Sequence, residues 1–305
     1  MSAPVPPGGI GALCLMSLEK PSPCKVNLLL NILGRRPDGF HELETLFHPV
    51  ALCDTLHFER SGGGIELTCS DPRLPTDDGN LVQRAAVAFR DAAGITDGVK
   101  LHLEKRIPLA AGLGGGSGNA ATTLAGLNEL FGDPLSATQL HELAARLGSD
   151  VPFFLQDRPA LATGRGESLE PLDFFPALKG KAFLLIHPGF GIATAWAYQQ
   201  LARYPDALHG QPGRARQLVE LLRTTDAQTA GRAFYNALEA PALNKFPILA
   251  LYQEFLRANG ALAALMSGSG STTFAIVEDV SQGETLTERF KGRFGAACWT
   301  AVVPI

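Results

Sequence analysis

The apolar positions of this chain alternate between two spacings, one of strands and one of helices. Residues Cys24 to Leu33 are apolar and branched, and the run stops at Gly34, which predicts a strand. Residues 43–58 alternate loosely, as strands do. The break Ser61-Gly62-Gly63-Gly64 reads as hairpin-like, with a short strand from Ile65 to Thr68 behind it. A helix is predicted over 79–93, where Asn80 can cap and Leu81, Ala85, Ala88 and Phe89 recur at helical spacing. Val99 to Glu104 returns to strand. A second helix is apolar at positions 120, 124, 127 and 131, with Gly132 as its stop. A third spans about 137–147 and ends at Gly148, and Ser149-Asp150-Val151-Pro152 has the look of a new helix start.

Further on, the pattern predicts a strand over Ala182–Ile186 and helices near 192–203, 215–223 and 247–258. Strands near 262–266 and 273–277 flank a Gly/Ser turn, and a last helix and strand (Cys298 to Val303) follow. No internal repeat is visible. Strands and helices mix without strict βαβ alternation, which favours an α+β fold over a doubly wound sheet. A length of 305 residues suggests two domains. Pro171, Pro176 and Gly180 mark the boundary, giving domains over 17–175 and 176–305. Residues 1–16 contain Pro and Gly but no Lys or Arg, so they match neither a signal nor a transit peptide. They read as a disordered extension outside the fold.

Composition narrows the class. Charged residues make up 18% and the net charge is −4, so no basic nucleic-acid footprint exists at whole-chain level. No apolar run is long enough to span a membrane. The five cysteines (14, 24, 53, 69 and 298) are scattered without a CxxC pair, which favours a reducing cytoplasm over a disulfide framework or a zinc site. Glycine is the excess residue, at 33 of 305 positions, against a usual share of about 7%.

Much of that excess sits in Gly112-Leu113-Gly114-Gly115-Gly116-Ser117-Gly118, which runs straight into the second helix. Glycines let backbone approach a ligand closely, and a helix N-terminus offers unpaired N–H donors and a positive dipole end. The pattern is that of an anion cradle, with Ser117 able to bond a phosphate or a magnesium ion. The P-loop GxxxxGK[ST], the dinucleotide fingerprint GxGxxG and the GxSxG elbow all fail here. A nicotinamide oxidoreductase is thereby set aside. A plain strand-to-helix turn remains the simplest alternative.

The stretch Pro108-Leu109-Ala110-Ala111-Gly112-Leu113-Gly114-Gly115-Gly116-Ser117 resembles the phosphate-binding motif of the GHMP small-molecule kinases. Pro21-Ser22-Pro23-Cys24-Lys25-Val26-Asn27-Leu28 resembles the family's first motif, and Met266-Ser267-Gly268-Ser269-Gly270-Ser271-Thr272 its third. The resemblance implies a two-domain α+β architecture, with a ribosomal-protein-like N-terminal domain and a ferredoxin-like C-terminal α/β sandwich. Within the family, Gly34 to Thr45, Gly148 to Phe154 and His187-Pro188-Gly189 are similar to the branch acting on a cytidine-diphosphate-linked methylerythritol in the non-mevalonate isoprenoid route. The activity implied is ATP-dependent phosphorylation of a substrate hydroxyl, with Mg2+ neutralising the phosphates.

The same resemblance implies roles. Asp150 matches the catalytic aspartate, although an Asp before Val-Pro is also a good helix cap. Lys25 matches its paired lysine; a lone strand-end lysine would otherwise be read as exposed. Pro108, Gly112, Leu113, Gly114, Gly115, Gly116, Ser117 and Gly118 would bind ATP. Phe40 and His41 match the cytosine site, and Tyr198 could stack on the base or simply pack in the core. Asn27 and Thr194 are further substrate candidates. Gly268, Ser269 and Gly270 would form either a second cradle or a hairpin turn. Three positions depart from the branch: Phe40 stands where Tyr is usual, Gly118 where a second Ser is usual, and Cys24 where Ala is common. Alternatives are a mevalonate-type or homoserine kinase, and a catalytically silent nucleotide-binding regulator on the same fold.

Overall fold

The computed structural model describes residues 16–305, so the extension expected over 1–16 lies outside the described residues except for Met16. That residue already belongs to the fold: its carbonyl accepts a hydrogen bond from the Arg60 N–H at 3.0 Å. The first sheet holds β1 (Ser17–Arg35), β2 (His41–Ser61), β3 (Ile65–Cys69), β4 (Gly98–Glu104), β5 (Ala160–Gly164), β6 (Ser168–Pro171) and, from much later in the chain, β8 (Tyr235–Asn236). Its order is β3-β4-β2-β1-β8, with β5 pairing the first part of β2 and carrying β6. The second sheet is antiparallel, in the order β11-β7-β10-β9, from β7 (Ala182–His187), β9 (Ala263–Met266), β10 (Thr273–Val277) and β11 (Trp299–Pro304).

Helices α1 (Leu81–Ala93), α2 (Gly115–Leu130) and α3 (Ala137–Leu147) cover the first sheet around Phe58, Phe89, Leu101 and Leu124. In the later half lie α4 (Thr194–Gln200), α5 (Pro205–Leu208), α6 (Arg214–Thr224), α7 (Ala227–Gly231), α8 (Glu239–Lys245), α9 (Pro247–Ala258) and α10 (Val280–Phe294). The two sheets meet in a shared apolar core, in which Leu28 and Leu46 of the first join Phe183 and Phe274 of the second. Truncating such fully buried phenylalanines costs about 3–5 kcal/mol each, so the two sheets are not separable at low cost.

Local signals act where expected. The Asn80 side chain accepts from the Val82 N–H at 3.0 Å and so starts α1. A reciprocal Ser136–Gln139 capping box starts α3. Helix α2 begins at Gly115, five residues before its first apolar position, because the glycines themselves form its first turn. It lies so close to β2 that a Cβ on Gly126 would stand 2.4 Å from the Phe58 ring.

Two expectations need correcting. Residues 61–64 are not a hairpin: β4 inserts between β2 and β3, antiparallel to β2 and parallel to β3. The glycines there allow close approach, since a Cβ on Gly98 would meet the Gly63 backbone at 2.5 Å. The helix start at 149–152 yields only one 3-10 turn, Pro152–Leu155.

Candidate active site

The bulge between Pro23 and Cys24 in the β1–β2 ladder falls where β1 passes from alternating to continuous burial. Lys25, just beyond it, is therefore only 3% exposed. Its ammonium donates to Asn27 Oδ1 at 2.6 Å and to the Gly112 carbonyl at 3.4 Å, and faces Asp150 Oδ2 at 3.5 Å. Asn27 in turn donates to Thr45 Oγ1 at 2.8 Å, and Thr45 donates to the Leu29 carbonyl at 2.6 Å. Asp150 is 36% exposed and its carboxylate caps no helix. The residue that precedes the 3-10 turn is Val151, so the capping alternative for Asp150 falls away.

This pair sits in a cleft of about 1210 Å³. The glycine segment forms one end of it. Gly112 and Gly114 have φ of +75° and +70°, a conformation that side chains resist, and Gly114 lies directly over the Lys25 stem. The first intrahelical bond of α2 runs from the Gly118 N–H to the Gly114 carbonyl. The N–H groups of Gly115, Gly116 and Ser117 precede it and have no partner within the helix, and no side chain caps this end. Open donors of this kind, with the dipole behind them, suit polyphosphate. Pro108, Leu113 and Ser117 border the same space.

The third glycine segment closes over the first. The Ser267 hydroxyl donates to the Gly112 carbonyl at 3.0 Å, and the Thr272 N–H donates to the Ala111 carbonyl at 3.1 Å. A Cβ on Gly112 would stand 2.2 Å from the Ser267 carbonyl oxygen. Residues 267–272 connect β9 to β10 as a hairpin, and Gly268 and Ser269 also border the cleft. The Ser269 hydroxyl lies 2.9 Å from that of Thr194, at the start of α4.

At the other end Phe40 is 51% exposed, which excludes ordinary core packing, and the Arg165 guanidinium lies 4.7 Å from its ring centre. His41 and Tyr198 approach each other at 5.0 Å between ring centres. Burial, then the nearby Arg35 charge, lowers the His41 pKa, which favours neutral imidazole. Burial and the Asp150 charge push the Tyr198 hydroxyl well above its ordinary value.

Two anticipated contacts are absent from the cleft lining. Gly118 faces inward, because a Cβ there would stand 2.5 Å from the Pro23 carbonyl oxygen, so its smallness serves helix–strand packing. Gly270 likewise packs on Met266 and Ile192. Conversely, Lys105, Asn119 and Arg165 border the cleft without a role expected from the sequence, as do Asn80, expected only as a helix cap, and Arg35, expected only as part of the 34–45 stretch. Lys105 stands three residues before Pro108, where the phosphate-motif stretch starts, and Arg165 is flanked by Gly164 and Gly166; that proximity was the available signal. Among the described residues no cluster of three or more His, Cys, Asp or Glu could hold a metal by itself. Magnesium shared with substrate phosphates does not require one.

The profile described as GHMP kinases N terminal domain matches residues 80–158, and that described as GHMP kinases C terminal matches residues 218–296. The chain is 39% identical over 289 residues to the 4-diphosphocytidyl-2-C-methyl-D-erythritol kinase of Syntrophotalea carbinolica, covering 93% of this chain and 98% of that protein. It is 40% identical over 268 residues to the enzyme of the same name from Pelotomaculum thermopropionicum, covering 88% and 91%. A crystal structure of 4-(cytidine 5'-diphospho)-2C-methyl-D-erythritol kinase superposes with a TM-score of 0.78 at 36% identity, covering 94% of this chain and all of that one. A homoserine kinase from Cytophaga hutchinsonii gives 0.74 at 21% identity, covering 99% and 97%, which is a likeness of fold.

Proposed function

Because the chain belongs to the GHMP kinases, in the branch of the 4-diphosphocytidyl-2-C-methyl-D-erythritol kinases, we propose that it transfers the γ-phosphoryl group of ATP to the 2-hydroxyl of that cytidine-diphosphate-linked alcohol. The observation that carries this reading is the Lys25–Asp150 pair, 3.5 Å apart, between a glycine-lined end and an aromatic one.

ATP takes the α2 end, its phosphates on the open N–H groups of residues 115–117 and on the Ser117 hydroxyl. The cytosine takes the Phe40, His41 and Tyr198 end, where an aromatic face stacks on the base and imidazole bonds its edge. Asn27, Thr194, Gly268 and Ser269 border the space between. The Asp150 carboxylate accepts the hydroxyl proton while that oxygen bonds to the γ-phosphorus and the bond to the β-phosphate oxygen breaks, releasing ADP. The Lys25 ammonium stabilises negative charge growing on the attacking oxygen. Ser117 is the protein group that would help hold a magnesium ion shared with the phosphates, and such an ion would supply neutralisation of the phosphate charge. The assignment divides the chain at 175/176, with the glycine segment, Lys25 and Asp150 before the division and the 267–272 hairpin after it.

A coupled assay of ADP release tests the reading. Release is expected with the cytidine-diphosphate substrate and not with mevalonate or homoserine. No release with the first substrate would overturn it.

A further inference from the structure

Asp54 has no part in the reaction above, yet it is completely buried and holds four donors. Its Oδ1 accepts from the N–H groups of Arg106 and Ile107 at 2.8 and 2.9 Å. Its Oδ2 accepts from Asn119 Nδ2 at 2.9 Å and from the Lys105 ammonium. One carboxylate on β2 thereby ties down the segment leading into the glycine loop and the first turns of α2. Asn119 is equally spent: its other amide proton goes to Ser22 Oγ at 2.9 Å, and its Oδ1 accepts from Lys105 at 3.1 Å.

Lys105 is the member with capacity left. An ammonium has three protons, and two are used on Asp54 and Asn119. The residue borders the cleft, and a Cβ on Gly115 would stand 3.5 Å from its Nζ. A buried ion pair adds little stability over apolar packing of similar volume, so a fold that needed only a plug here had simpler options. We propose that Asp54 is a positioning residue for the nucleotide: it holds Lys105 and the entry of α2 in register with the ATP phosphates and nucleoside, and it acts on ATP affinity alone. This rests on placing ATP at the α2 end.

The test uses the full chain and three variants, Asp54→Asn, Lys105→Met and the double variant, with ATP binding measured by calorimetry, the KM of each substrate, and Tm. Asp54→Asn strands a buried ammonium and is expected to lower Tm most, whereas the double variant removes both charges and should regain much of that loss. ATP affinity is expected to fall about tenfold in each folded variant and not to recover in the double one, with the KM of the cytidine substrate unchanged. Should Asp54→Asn fail to fold, the double variant decides. Recovery of ATP affinity together with Tm would overturn the proposal, as would equal losses for both substrates or no loss of ATP affinity. Gly116→Val separates the two levels: it points a side chain into the α2 end, and unchanged ATP affinity there would refute the ATP placement itself.

Discussion

Asn27 accepts a 2.6 Å hydrogen bond from Lys25, two residues before it on the same face of β1. Its orientation is not free. Thr45 spends its hydroxyl proton on the Leu29 carbonyl, so it can only accept from Asn27 Nδ2, and this turns Asn27 Oδ1 toward the ammonium. Thr45→Val keeps the shape and removes the acceptor. Steady-state kinetics are expected to show kcat down by about tenfold with both KM values little changed, and Thr45→Ser close to wild type.

Asp150→Asn separates charge from shape at the proposed base. The side chain caps no helix, but its charge faces the buried Lys25 ammonium at 3.5 Å, so Tm should fall by several degrees while the fold is kept. The loss of kcat should reach about 100-fold or more. Near-normal turnover in the purified variant would refute the role.

Gly112 and Gly116 lie four residues apart but answer differently to alanine. At Gly112 a Cβ meets the Ser267 carbonyl oxygen at 2.2 Å, on a backbone with φ of +75°. Gly112→Ala should therefore destabilise by about 2–3 kcal/mol in denaturant unfolding. Gly116 has only the Leu81 methyl nearby, at 3.7 Å. Gly116→Ala should leave stability unchanged or slightly higher, and raise the KM for ATP.

His48 should make the protein acid-labile. It is buried among Phe174, Phe175 and Phe183, and its Nε2 has no partner. Burial pulls its pKa from 6.5 down to about 4. Between those values the unfolded chain binds a proton that the folded chain refuses. The contribution of neutral His48 is thus complete above pH 6.5 and is lost progressively toward pH 4, about 3 kcal/mol in all. His48→Leu should flatten that part of the stability–pH curve measured by denaturant titration.

Helix α3 could be read to the residue because its signals are local: Ser136 and Gln139 at one end, Gly148 at the other. The glycine motif was legible as an anion cradle from its own residues, whereas the pairing of Lys25 with Asp150 was legible only through resemblance, since the two stand in separate elements. What stayed hidden was non-local. Nothing near Asp54 announces that Lys105 and Asn119 will converge on it. Strand β8 is two residues long and has no period of its own. Gly118 and Gly270 show the opposite failure, because glycines beside a ligand loop look like ligand contacts even when they exist for packing.

The pairing of β8 with β1 has a consequence for synthesis. Leu29 and Leu30 lie beside Tyr235 and Asn236, and Asn236 bonds the Met266 and Gly268 carbonyls that shape the roof over Lys25. A nascent chain emerging from the ribosome therefore carries an open β1 edge and an unroofed lysine until nearly all of it has left the exit tunnel. Premature termination near residue 175 would yield no working fragment, only an exposed strand edge of the kind that recruits chaperones.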